Sequence, residues 1–134
     1  MVGIVIVSHG AMANGMLDAA RMIVGEQEGM LAVSLEEMED VEGLIEKIAA
    51  AVEKVDTGDG VLVLVDVFGA SPFNASARLT LSRDKMDVIT GMNLPMLLEL
   101  AIHRQGSNLD ELVKIALEAG TSSIKTLSET LKSK

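Results

Sequence analysis

Five aliphatic residues in a row, Val61-Leu62-Val63-Leu64-Val65, run straight into a carboxylate, Asp66. An unbroken aliphatic run of this length reads as a strand covered on both faces, the kind found at the centre of a parallel sheet. The next residues narrow the fold further. Val67, Phe68, Gly69 and Ala70 turn the backbone, and Ser71-Pro72 opens a helix, with Ser suited to the N-cap and Pro to the first helical position. An acid at the carboxyl end of a central strand, next to a fresh helix start, marks the place where open α/β sheets bind ligands. Free amides at such a start suit an anion, phosphate above all.

The rest of the chain repeats the alternation. Residues 2–7 form a second aliphatic run that ends on Ser8-His9-Gly10, and a helix with Gly25 as its stop comes after it. Residues 30–35 read as a strand. Asp40 is placed to cap a helix carried by Val41, Leu44, Ile48, Val52 and Val55. After the central strand, a helix from Pro72 to about Leu81 is expected to bury Phe73, Ala77 and Leu81. Residues 86–90 are a fourth strand, and Asn93 caps the helix that begins at Leu94. Ser107 and Asp110 resemble a capping box for the last helix, which Gly120 is expected to end. Residues 121–127 read as one more strand and residues 128–134 as a frayed polar tail.

Strands alternating with helices predict a parallel α/β sheet with helices on both faces. The expected architecture is a three-layer sandwich with a mainly parallel central sheet in the order 2-1-3-4, as one domain over residues 1–134. Strands one and three are then neighbours, roughly 4.8 Å apart. His9 ends one and Asp66 the other, so the imidazole and the carboxylate should meet.

Bulk properties exclude several function classes. The 134 residues carry a formal charge of −9, which disfavours nucleic acid and anionic membranes. There is no cysteine, hence no thiolate chemistry or disulfide framework. No apolar run approaches the roughly 20 residues of a membrane span, so a cytoplasmic protein is expected. The only aromatics, Phe68 and Phe73, both fall in the central motif.

A carboxylate on the Nδ1–H of a neutral imidazole fixes the tautomer and frees Nε2 as a nucleophile. Helix starts near Ser71 and Asn93 can then hold the oxygens of an incoming phosphoryl group. These parts make a phosphohistidine site. A structural histidine, merely hydrogen-bonded at a strand end, is the plainer reading of His9.

Ile4-Val5-Ile6-Val7-Ser8-His9-Gly10, Val65-Asp66-Val67-Phe68-Gly69-Ala70-Ser71-Pro72-Phe73-Asn74 and Gly91-Met92-Asn93-Leu94-Pro95-Met96-Leu97 occur in that order. Together they resemble the mannose-family enzyme IIA of the bacterial phosphoenolpyruvate:sugar phosphotransferase system. The resemblance implies that His9 accepts a phosphoryl group from phospho-HPr on Nε2 and passes it to a histidine of a IIB component. It implies that Asp66 orients His9 and that Ser71, with Gly10, Gly69 and Ala70 beside it, holds the phosphoryl group. Phe68, Met92, Asn93 and Met96 are candidate partner contacts, set against plainer readings: Met92 and Met96 as core filler, which is the favoured reading, Asn93 as a helix cap alone, and Phe68 as core. A homodimer exchanging a fifth, antiparallel strand near residues 122–127 is implied too, as is association with the membrane components IIC and IID through IIB. No cofactor or metal enters such a mechanism.

Three other readings are set against this one. The phosphocarrier subunit of a dihydroxyacetone kinase shares the fold and the N-terminal histidine. A receiver-like module would be phosphorylated on Asp66 itself, but it needs further carboxylates where this chain has Ser8-His9-Gly10. A non-catalytic binding or dimerisation domain would take no phosphoryl label.

Overall fold

The computed structural model describes residues 1–132. Ten elements succeed one another: β1 (Gly3–His9), α1 (Met12–Val24), β2 (Met30–Leu35), α2 (Val41–Val55), β3 (Val61–Val65), α3 (Ser71–Thr80), β4 (Met86–Ile89), α4 (Leu94–His103), α5 (Leu109–Ser122) and α6 (Leu127–Lys132). The four strands form one parallel sheet in the order β2-β1-β3-β4. Each strand is short and leads into a helix, because a parallel neighbour can be reached only by a crossover.

The aliphatic runs are buried on both faces, as their composition requires. Ile4, Ile6, Leu62 and Leu64 face a cluster that includes Ala13 and Ala20 of α1, Leu97 and Leu100 of α4, and Leu112 and Ala116 of α5. Val5, Val7, Val61, Val63 and Val65 face the other way, against Leu44, Ile48 and Val52 of α2 and Ala75 of α3. The alternation along each strand therefore sorts the helices into two layers. Packing is tight where α2 ends against β1: a Cβ at Gly3 would lie 2.5 Å from the Val55 carbonyl oxygen.

Caps set the helix boundaries. Asp40 accepts from the Gly43 amide and Asn93 from the Met96 amide, as expected. The capping box of α5 sits one residue later than predicted, between Asn108 and Glu111 instead of Ser107 and Asp110. Both halves of the box are made, which the shorter Asp side chain at the earlier register does not provide.

Four further expectations are corrected. Gly120 does not end α5; it lies inside the helix, where its missing Cβ lets α5 pass the start of α4. A Cβ there would meet the Met96 Cε at 2.7 Å. Consequently residues 122–127 form no strand in this chain: α5 runs on to Ser122, and α6 begins at Leu127. α3 buries Pro72, Ala75 and Ser76, whereas Leu81 lies beyond the helix and is exposed. Of the tail expected to fray, residues 128–132 belong to α6 and residues 133–134 lie outside the described residues. No helix among the described residues is long and apolar enough to cross a membrane.

Candidate functional site

β1 and β3 are adjacent, with Val7 opposite Val65, so both chains leave the sheet side by side. His9 is the last residue of β1, and Asp66 comes directly after β3. One carboxylate oxygen of Asp66 accepts twice from the same residue: from the His9 amide at 2.8 Å and from its ring Nδ1 at 2.6 Å. The other oxygen accepts from the Val67 amide at 2.9 Å. The acid thus reads the histidine's backbone and side chain together, across 57 positions of sequence.

Charge is set by this geometry. Burial opposes ionisation of Asp66, but the ring and amide hydrogen bonds from His9, the amide of Val67 and the charge of the His9 ring outweigh it. The carboxyl is held below its ordinary range. An ionised Asp66 can only accept, so Nδ1 donates to it, and in the neutral form of the ring Nε2 is then the nitrogen with a free lone pair. The Asp66 side chain is 7% exposed, whereas that of His9 is 53% exposed. The acid is sheltered and the imidazole is presented.

Two helices begin a few residues after this pair, α1 after His9 and α3 after Asp66. A two-residue turn, Gly10-Ala11, leads from β1 into α1. Gly10 takes a left-handed φ of +55° and donates its amide to the Leu35 carbonyl at 3.0 Å. That positive φ lets the chain fold back at once, which a side chain there would resist. On the other side, the loop after Asp66 turns at Gly69, φ +82°, and enters α3. The Asn74 side chain donates to the Gly69 carbonyl at 3.1 Å and closes this loop.

Ser71 differs from expectation. Ala70 is the N-cap, with extended backbone, and Ser71 is the first helical residue. The tie from Asn74 pulls the helix start one position earlier, because the Asn74 amide already bonds the Ala70 carbonyl. The Ser71 hydroxyl therefore caps nothing and has no partner among the described residues. It stands with the first amides of α3, which lack intrahelical acceptors.

Of the expected contact residues, only Phe68 is open to solvent, at 73% exposure, its ring 4.7 Å from that of Phe73. Val67, next to it in the chain, is exposed, and so is Met12 at the start of α1. Met92 and Met96 are buried in the core instead of forming a surface. Met96 lies against Gly120 of α5, which sequence spacing does not reveal. The Asn93 side chain is engaged at both ends, accepting from the Met96 amide and donating to the Gly120 carbonyl at 3.0 Å. Sequence reasoning assigned Ser8 no role, yet Ser8 is buried and accepts from the Ala13 amide at 2.7 Å. Its signal was a polar residue in the inward-facing column of Ile4 and Ile6.

The chain is similar to known proteins in both sequence and fold. The family described as "PTS system fructose IIA component", EIIA-man, matches residues 3–117. The chain is 42% identical over 127 residues to the mannose-specific EIIAB component of the phosphotransferase system of Escherichia coli, covering 94% of this chain and 39% of that protein. It is 33% identical over 128 residues to the sorbose-specific EIIA component of Lacticaseibacillus casei, covering 96% of this chain and 92% of that one. The crystal structure of a phosphotransferase system EIIA component from Streptococcus agalactiae superposes with a TM-score of 0.89 at 28% identity. It covers 96% of this chain and 99% of that one.

Proposed function

Because the chain belongs to the EIIA-man family of sugar phosphotransferase system components, we propose that it is a phosphohistidine carrier that takes its phosphoryl group from phospho-HPr on His9. The group then passes to a histidine of a IIB component during sugar uptake. The observation that carries this reading is the pair of hydrogen bonds that Asp66 accepts from His9, from its amide at 2.8 Å and from its ring Nδ1 at 2.6 Å, which leaves Nε2 as the ring nitrogen not engaged by the acid.

In the transfer, the N–P bond of the donor breaks and its electron pair returns to the donor nitrogen. The lone pair of His9 Nε2 forms the new N–P bond. Nδ1 keeps its proton throughout, so the phosphorylated ring bears positive charge, and Asp66 stabilises it at contact distance. The Ser71 hydroxyl and the first amides of α1 and α3 are the donors for the phosphoryl oxygens. Gly10, Gly69 and Ala70 leave that space free of side-chain bulk. Phe68, Val67 and Met12 form the apolar rim on which a partner protein seats.

Residues 1–134 act as one EIIA domain in the cytoplasm, meet membrane components through IIB, and pair as a homodimer. Ile124, Leu127 and Leu131 are 81%, 74% and 60% exposed, and β4 is an edge strand, so one copy has apolar side chains and an open edge to offer another. Sedimentation at micromolar concentration is expected to show a dimer; a monomer overturns this part.

The test of the carrier role uses labelled phosphoenolpyruvate, enzyme I and HPr. Wild type is expected to take up acid-labile, alkali-stable label, and His9→Ala none. Persistent label in the variant, or label that alkali releases, would remove His9 from the mechanism and turn attention to Asp66 as acceptor.

A further inference from the structure

We infer that Ser8 is a positioning residue of the phosphoryl-transfer site, holding the start of α1 in place against His9; this rests on the carrier reading above. Ser8 is wholly buried on the same side of β1 as Ile4 and Ile6, where packing alone calls for another aliphatic side chain. Its hydroxyl oxygen accepts from the Ala13 amide at 2.7 Å and lies 3.5 Å from the Gly10 carbonyl, to which it can donate. The two contacts close a ring around the Gly10-Ala11 turn.

The helix depends on this. Ala11, the N-cap of α1, has no side chain able to cap it. Ala13 is fully buried, so its amide has no water to turn to. Ser8 supplies the missing acceptor from within the strand. Because the hydroxyl takes the amide of the second helical residue, those of Ala11 and Met12, adjacent to the ring, stay uncommitted on the exposed side.

Three consecutive residues at the end of β1 are each tied to a different element. Ser8 is tied to α1, the His9 amide to the carboxylate beyond β3, and the Gly10 amide to the Leu35 carbonyl of β2. The ties to β2 and β3 orient the ring. The tie to α1 sets where the helix amides stand relative to that ring. Without the hydroxyl, the Ala13 amide finds an acceptor only if the turn moves, and the amides next to His9 move with it. Displacements of about 1 Å at a reacting centre cost about 100-fold in rate.

The isosteric pair Ser8→Thr and Ser8→Val isolates the hydroxyl, with Ser8→Ala as a third variant. Rapid-quench transfer of label from phospho-HPr gives kcat and KM separately. Ser8→Thr is expected to transfer at close to the wild-type rate. Ser8→Val and Ser8→Ala should lose about 100-fold in kcat, with KM changed less than about threefold, since positioning affects the reacting atoms and not the docking rim. Equal kcat for the Thr and Val variants would overturn the inference. So would loss of the fold in both hydroxyl-free variants, because the hydroxyl would then hold the domain and not the site. Wild type that takes no label at all would sink the carrier reading itself, which the same experiment shows separately.

Discussion

Asp66→Asn is the most informative single change. The side chain keeps its size and gives up one negative charge, but an amide cannot reproduce three accepted bonds. If its oxygen faces His9, its NH₂ group points at the Val67 amide, donor against donor. If it turns over, the NH₂ group donates to Nδ1 and forces the proton onto Nε2, which removes the nucleophilic lone pair. The larger loss comes as the ring becomes positive. A charge-assisted hydrogen bond contributes about 1.5–3 kcal/mol. Coulomb attraction between charge centres about 4 Å apart, at an effective dielectric near 20, is about 4 kcal/mol. Raising the barrier by about 2–4 kcal/mol slows transfer by about 30- to 1000-fold. Single-turnover quench with labelled phospho-HPr measures it, with circular dichroism confirming the fold. A rate within about threefold of wild type, with the fold intact, would refute the argument that the carboxylate stabilises the transferring ring.

The remaining predictions concern stability. Asp66 has its folded pKa below the unfolded value, so its contribution is fully present above the unfolded carboxylate range and disappears as pH falls through the folded pKa. Urea midpoints measured from about pH 6 to about pH 2.5 should therefore fall more steeply in wild type than in Asp66→Asn, and parallel curves would contradict it. Met38 is fully exposed and takes a left-handed φ of +66°, so Met38→Gly should relieve strain and stabilise by about 0.5–1 kcal/mol, read as a higher urea midpoint. Gly60 combines a φ of +96° with only 2.7 Å between its missing Cβ and the Lys85 carbonyl oxygen; Gly60→Ala should cost about 3 kcal/mol, and a thermal midpoint unchanged from wild type would contradict this. Arg104 is buried with its guanidinium on the Glu28 and Gly29 carbonyls, so Arg104→Ala strands both acceptors and should cost about 3 kcal/mol by chemical denaturation.

Much of the fold was legible because its signals are local. A run such as Val61–Val65 can satisfy its side chains only in a sheet covered on both faces, and nothing distant alters that. Asp40 and Asn93 cap the helices that begin after them because a cap needs only an oxygen and an amide three residues on. His9 and Asp66 could be named for the same reason: each closes its own strand. Sheet order does not follow from alternation: the expected order is the common arrangement for a sheet of this size, and the structure has that order, which brings the two residues together.

Where two elements cross, local pattern carried no information, and there the tertiary structure decided. Met96 lies against α5, whose close approach depends on Gly120 far along the chain. Ser71 is free to face a ligand because Asn74 ties back the loop before it. Ser8 matters because the amide of a buried alanine in the next helix has no other acceptor nearby. Strand and helix periods report what each segment must bury; which hydrogen bonds remain unmade at the site depends on how the segments finally pack.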